Sequence, residues 1–336
     1  MKNKFLKRLI RQNELYIFII IIIFSIVINF INPIFLSLEN MFDVAKNAAG
    51  MAVLSIGFFI VLLSGGIDIS FAAIAISGQY IAIKSLIALG IDNLWLAFLI
   101  SCFVGIVLGS INGLFIAIFK IPTLIATLGT MSIFHGGLLF FIGTKATYSS
   151  GLPTCLKKFG DFTVFNIKAS DGHTYGLSGF VLIVIGVIVV SWIILKYTML
   201  GRSIYAIGGN VESAERSGIN VIGTQFFIYC YAGFLAGIMG IMHVSLIMYM
   251  NPAHIVGSEL SVIGAVILGG ASIMGGKGSI IGTMLGVTMI SLLDNSLILM
   301  GLSSVWHQFF VGLMIIIGVS ITSYQNKIRS RRLLVF

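Results

Sequence analysis

Charge is what this sequence has least of: Asp, Glu, Lys and Arg make up 9% of its 336 residues. An ordinary water-soluble domain carries about 25%, so a free-standing soluble enzyme is excluded at the outset. Cysteine is nearly absent. Cys102, Cys155 and Cys230 show no CxxC spacing, which supports neither a disulfide framework nor a thiolate metal cluster and points them to packing roles. The histidines, His135, His173, His243, His254 and His307, form no HExxH or paired-acid pattern, so they are assigned to interfaces and helix packing. There is no GxSxG elbow and no P-loop. The nearest approach, Gly275-Gly276-Lys277-Gly278, lacks the GxxxxGK[ST] spacing that cradles a triphosphate. No catalytic constellation, metal site or cofactor motif is therefore expected in this chain, and no basic-aromatic patch supports nucleic-acid binding.

What fills the chain is apolar: 58% of residues are hydrophobic, in runs close to the roughly 20 residues that cross a bilayer. The runs predict an all-α, polytopic helical membrane protein with about ten transmembrane helices. They fall near residues 15–31, 50–64, 71–90, 94–119, 122–143, 177–196, 223–245, 259–274, 279–300 and 306–323. The whole of 1–336 reads as a single membrane domain. The first run is too long for a signal-peptide core and leads into Asn32-Pro33, so a retained span is expected. Ten crossings return both termini to one side. Assigning that side to the cytoplasm puts 14 of the 20 Lys and Arg there, including both chain ends, Lys120, Lys196, Arg202, Arg216 and Lys277. A multi-pass place in a membrane with both ends cytoplasmic follows, with the positive charge, +9 overall, attracted to anionic lipid headgroups. The 39 glycines suit helices that approach closely or break.

One polar segment interrupts the pattern, residues 201–221 (GRSIYAIGGNVESAERSGINV), at the centre of a cytoplasmic stretch of about 197–222. Asn210 is a good N-cap, Glu212 places negative charge in the first turn, Glu212 and Arg216 stand at i,i+4, and Gly218 is positioned as a left-handed terminator. A short surface helix over 211–217 is predicted, offering the small residues Ser213 and Ala214 between charges. Two turns cannot stand alone in water. The segment serves equally as a plug for a groove on another protein or as an ordinary surface turn. On the other side, residues 144–176 form a long polar loop with Lys145, Lys157, Lys158, Asp161, Lys168 and Asp171, a natural landing surface.

Ionisable residues at membrane depth are costly, which singles out Asp68, Lys84, Glu259 and Asp294. Lys84 reads as snorkelling; for Asp68 and Glu259, pinning of broken helices and contact with a pathway are equally supported. A weakly binding route for a small polar solute would draw on the glycine break Gly65-Gly66, on Asp68 and Glu259, and on the neutral polar groups Ser70, Gln79, Asn112, Thr127, Thr130 and Asn295. A shift of 204 residues lays Gly65-Gly66 on Gly269-Gly270 and Gly78 on Gly282, a weak two-half repeat that independent glycine-rich helices would also produce.

Several motifs in order carry a resemblance. They are LSGGIDIS (63–70), SINGLF (110–115), IATLGTM (125–131), Glu259 within SEL, AVILGGASIMGGK (265–277) and LDNSLILMGLSS (293–304). With residues 201–221 they resemble the ribose-type ABC sugar permeases over nearly the whole chain. Phe71-Ala72 and Asp294-Asn295 depart from the usual Val-Gly and Asn-Asn. The resemblance implies a permease subunit rather than an enzyme. Its partners would be a separate ABC ATPase, a periplasmic or lipid-anchored sugar-binding protein and a second permease, the same or related. ATP and Mg would sit on the ATPase subunit and no cofactor on this chain. The coupling contact would fall on Arg202, Asn210, Glu212, Ser213, Ala214, Arg216 and Gly218. A monosaccharide is the implied solute, with a nucleoside or an autoinducer-type sugar as alternatives. An ion-coupled secondary transporter should show an acid-rich pathway, and four scattered charges do not make one.

Overall fold

The computed structural model describes residues 13–168, 174–252, 257–303, 306–318 and 320. The terminal basic clusters at 1–12 and 327–332, together with Asp171, His173 and His254, lie outside the described residues.

Eight helices are long and apolar enough to cross a membrane. They are α1 (Asn13–Ile31), α2 (Leu38–Leu63), α3 (Phe71–Leu89), α4 (Leu94–Gly113, continued by a π-turn Leu114–Ile118) and α5 (Thr123–Ile142), followed by α7 (Phe180–Tyr197), α10 (Val221–Ile247) and α12 (Ile280–Leu299). The other two expected crossings lie on shorter helices, α11 (Glu259–Leu268) and α13 (Trp306–Gly318). At 1.5 Å per residue the ten residues of α11 reach about 15 Å, half the hydrocarbon core. It stops because Gly269-Gly270 ends it, and an irregular segment carries the chain on to Ser279. The last expected crossing, to residue 323, runs past the described helix.

Helix starts follow the chemistry of their first residues. Ser37, Asn93, Asn220 and Ser279 each accept a bond from a first-turn amide, capping α2, α4, α10 and α12. The α2 helix begins a dozen residues earlier than hydropathy implied. Its first turns carry Glu39, Asn40, Asp43, Lys46 and Asn47, a polar set that hides a helix from an apolar window.

The inner layer consists of α2, α3 and α10, while α1, α4, α5 and α7 expose most of their apolar surface outward. Close approach holds α4 to α10. A Cβ on Gly105 or Gly233 would strike the other's backbone carbonyl, and one on Gly109 would strike that of Tyr229. Ser101 Oγ donates to Gly237 O at 2.8 Å in the same seam. Because lipid is as apolar as leucine, such backbone-to-backbone packing replaces hydrophobic burial as the force between helices.

Two ends of the bundle differ. At one end α7 leads into α8 (Met199–Gly209) and α9 (Val211–Arg216). At the other lies a small cap built from α6 (Thr154–Gly160) and the antiparallel strands β2 (Thr163–Lys168) and β3 (Thr174–Ser178). A second ladder there pairs β1 (Thr147–Tyr148) with β4 (Tyr249–Met250). Phe42 on α2 packs edge-on to Phe165, Leu156 is fully buried, and Asp92 accepts bonds from the Thr154 hydroxyl and the Cys155 amide. The expected polar loop is thus largely an ordered lid on the bundle.

Candidate functional site

The α9 end gathers the features that the sequence placed far apart. Thr198 Oγ1 caps α8 through Gly201 N at 3.2 Å, and α8 buries Gly201, Ile204 and Ile207 on one face while Arg202 stays exposed. Asn210 Oδ1 accepts Ser213 N at 2.7 Å and starts α9. Ser217 and then Gly218, at φ +81°, end it. Glu212 and Arg216 meet at 3.7 Å with both side chains more than four-fifths exposed. So exposed a pair contributes at most about 1 kcal/mol, and its charges face outward, open to a partner. Ala214 is the exception on this helix: it is buried against the protein's own body and is not offered outward.

From α9 the chain backs onto both helix breaks. The first, residues 64–70, links α2 to α3. Its polar backbone is held by side chains: Ile67 N donates to Thr123 Oγ1 at 3.1 Å, Thr127 Oγ1 donates to Ile67 O at 3.2 Å, and Ile69 N donates to Thr127 Oγ1 at 3.3 Å. Asp68 Oδ1 accepts the amide and the hydroxyl of Ser70, each at 2.7 Å, and Asn112 Nδ2 donates to Ser70 Oγ at 2.6 Å. Irregular backbone at membrane depth survives only where the protein satisfies it, and this knot does so. The second break, 269–279, folds on itself through Ser272 N to Lys277 O at 2.9 Å. It is anchored by Ser279 Oγ, which donates to Glu14 Oε1 at 2.8 Å.

The two breaks share a cap. Gly65 and Gly270 adopt φ of +84° and +86°. In each case the next amide reaches back across the turn, Gly66 N to Val61 O at 3.2 Å and Ala271 N to Val266 O at 3.3 Å. This is the Schellman arrangement of a helix end. The matching positions are therefore 65 and 270, one residue off the sequence register that set Gly65 on Gly269. Gly78 and Gly282 do not correspond: the first faces Ser101 on α4, the second faces Gly269 across its own break.

The breaks also touch. Gly276 N donates to Leu63 O at 2.8 Å, Tyr205 OH donates to Gly278 O at 3.3 Å, and Gly208 at the end of α8 fits where a Cβ would collide with the Leu63 carbonyl. Within 275–278, Gly275 N, Gly276 N, Lys277 O and Gly278 O all take part in hydrogen bonds inside the protein.

Of the residues proposed for a pathway, Gly65, Gly66, Asp68, Ser70, Asn112, Thr127 and Thr130 gather at or beside the first break. The polar side chains among them are buried. Glu259 is buried at the start of α11, accepting Gly257 N at 2.7 Å. Gln79 is buried on α3 and meets His243 at 3.3 Å. Asn295 pairs both ways with the Asn40 amide, at 2.8 and 2.9 Å, and lines a separate cavity of about 560 Å³ toward the capped end. Lys46, Asn47, His243, Asp294 and His307 line it too. Sequence reasoning sent the histidines to packing and set the α2 crossing to begin after Lys46. Their convergence is a property of the fold, and only the i,i+1 polarity of Lys46-Asn47 hinted at it.

A bundle of apolar helices with satisfied breaks and an exposed polar helix at one end has the form of a polytopic membrane transport component. The chain belongs to the family described as branched-chain amino acid transport system / permease component, whose model matches residues 40–319. It is similar to the ribose import permease protein of Haemophilus influenzae, 33% identical over 91% of this chain and 92% of that protein. It is likewise similar to the ribose import permease protein of Bacillus subtilis, 36% identical over 90% and 89%. The autoinducer 2 import system permease protein of Escherichia coli is 28% identical over 93% of this chain and 87% of that one. No solved structure matches the chain. The protein is a multi-pass transport subunit of the bacterial inner membrane.

Proposed function

We propose that this chain is the permease subunit of an ABC importer for a monosaccharide. An external binding protein delivers the solute, a separate ATPase that holds ATP and Mg drives the cycle, and a second permease completes the pathway. The ribose import relatives, at about a third identity over nine-tenths of the chain, support the solute class. One observation carries the mechanism: the exposed helix α9 follows α8, and α8 ends against the backbone of both helix breaks. Closure of the ATPase subunits on α9 displaces α8. The displacement reaches residues 64–70 and 269–279 together, tilting α2, α3, α11 and α12 between states open to either side, a population shift driven by nucleotide. The capped end, with exposed Tyr148, Phe162 and Phe165, receives the binding protein.

Uptake of labelled ribose by cells carrying the whole transporter tests this reading. Replacing Glu212 and Arg216 with alanine together is expected to cut uptake by roughly tenfold or more, a coupling loss, while the permease inserts in normal amount. Unchanged uptake overturns the coupling role. Accumulation of solute by vesicles holding this chain alone under a proton or sodium gradient overturns the ABC reading in favour of ion coupling.

A further inference from the structure

The 560 Å³ cavity toward the capped end has a composition that the coupling machinery does not use. Its walls come from six helices, α2, α7, α10, α11, α12 and α13. Most of the lining is apolar, Met51, Leu54, Met239 and Met242 among it. The same space is lined by Lys46 and Asn47 from α2, His243 from α10, Ser261 from α11, Asp294 from α12 and His307 from α13. Lys46, His243, Asp294 and His307 are the titratable groups facing the space. Ionisable groups at membrane depth are expensive, and when they turn into one space they mark a functional, hydrated site.

The polar groups are organised. Asp294 Oδ1 contacts His307 Nδ1, and His307 Nε2 meets Ser261 Oγ at 3.1 Å, so one chain of hydrogen bonds ties α11, α12 and α13. Asp294 is about one-third exposed, and its Oδ2 has no hydrogen-bond partner among the described residues. A carboxylate with one oxygen held and one open accepts hydroxyl protons in strong, charge-assisted bonds. The Asn47 amide adds donors and an acceptor, and Lys46 adds donors. A largely apolar pocket with a few convergent polar groups is the usual form of a small-molecule site, and this volume is within the usual range of roughly 300–1,000 Å³. A pyranose or furanose matches this mixed lining, presenting C–H faces to apolar groups such as the methionines and hydroxyls to the polar ones.

The geometry points to this cavity as a monosaccharide-binding vestibule within the protomer, with Asp294, His307 and Asn47 as the hydroxyl-binding groups. The inference rests on the sugar reading above and adds a site separate from the helix breaks.

Substituted cysteines test it in the permease embedded in lipid vesicles, with Cys102, Cys155 and Cys230 replaced by alanine. Ser291→Cys on the cavity wall is compared with Ile281→Cys, which sits on the outer apolar surface of the same helix at 70% exposure. A charged, membrane-impermeant methanethiosulfonate should label Ser291→Cys about tenfold faster or more, and millimolar ribose should slow that labelling severalfold while glycerol does not. Adding Asp294→Asn, which keeps the shape and removes the charge, should raise the ribose concentration for half-protection by about tenfold. Labelling no faster than at Ile281→Cys shows a dry cavity and overturns the site. So does fast labelling that neither ribose nor a panel of other monosaccharides alters. Uptake of labelled monosaccharide by the whole transporter separates the two ideas: uptake without protection defeats the vestibule alone, whereas uptake of no monosaccharide defeats the sugar reading itself.

Discussion

The amide of Gly276 donates to the carbonyl of Leu63 at 2.8 Å, binding the segment after α11 to the last turn of α2. Leu63 immediately precedes the first helix break, Gly276 lies in the second, and Gly208 from α8 packs against the same carbonyl. Three stretches of main chain that are far apart in sequence thus meet at one point.

Gly208→Ala is expected to disrupt that point. Its methyl group would meet backbone on two sides, Leu63 O and Gly276 N, and overpacking against atoms that cannot rotate away costs about 1–3 kcal/mol. Uptake should fall with it. Gly209→Ala, with nothing within 4 Å of its Cβ, should leave both thermal stability in detergent and uptake unchanged. Equal behaviour of the two variants would show that the junction is loose.

The α4–α10 seam makes a parallel expectation. Gly233→Ala drives a methyl into the Gly105 carbonyl and should lower the melting temperature, whereas Gly129→Ala, which meets nothing within 4 Å, should not. Thermal unfolding of the purified protomer, followed by tryptophan fluorescence, compares them.

Thr123→Val tests the pinning of the first break. Valine keeps the shape but removes the acceptor of Ile67 N, and a stranded backbone amide away from water costs about 1–3 kcal/mol. The control is Ser132→Ala on α5, whose hydroxyl donates within its own helix to Leu128 O at 3.1 Å and which should be near neutral. Melting temperatures of the two variants in the same detergent should separate clearly, and a Thr123→Val protein as stable as the control would mean that water reaches the Ile67 amide.

Asp92 makes stability depend on acid. The Thr154 hydroxyl, and then the Cys155 amide, hold its carboxyl down at about 2. A carboxyl lowered in the folded state contributes stability that is present above its unfolded value near 4 and is lost as pH falls through the folded value. The difference in melting temperature between the native protein and Asp92→Asn should therefore be constant above about pH 5 and shrink between about pH 4 and 2. A difference that does not change over that window would show that the cap contact is absent in solution.

Much of this was legible beforehand. Long apolar runs are set by bilayer thickness, so eight spans could be read directly, and Asn210 and Gly218 announced the limits of α9 because caps are local chemistry. The length of α11 was not legible, since Gly269-Gly270 sits inside an apolar stretch that hydropathy treats as continuous. Nor was the early start of α2, whose polar first turns look like a loop until Lys46 and Asn47 are seen to face a cavity. The pathway residues were chosen as polar groups in apolar runs. That criterion finds Asp68, Ser70 and Thr127 without distinguishing a group that satisfies neighbouring backbone from one that faces an open space. Only the fold separates them.

Where Gly208 meets Leu63 and Gly276 there are no side chains between the strands of main chain, hence no rotamers to absorb a displacement. Under the proposed coupling, movement of α9 would be passed on without slack, with the stroke fixed by backbone geometry. The wall proposed to meet solute would then be free to vary while the drive train stays the same.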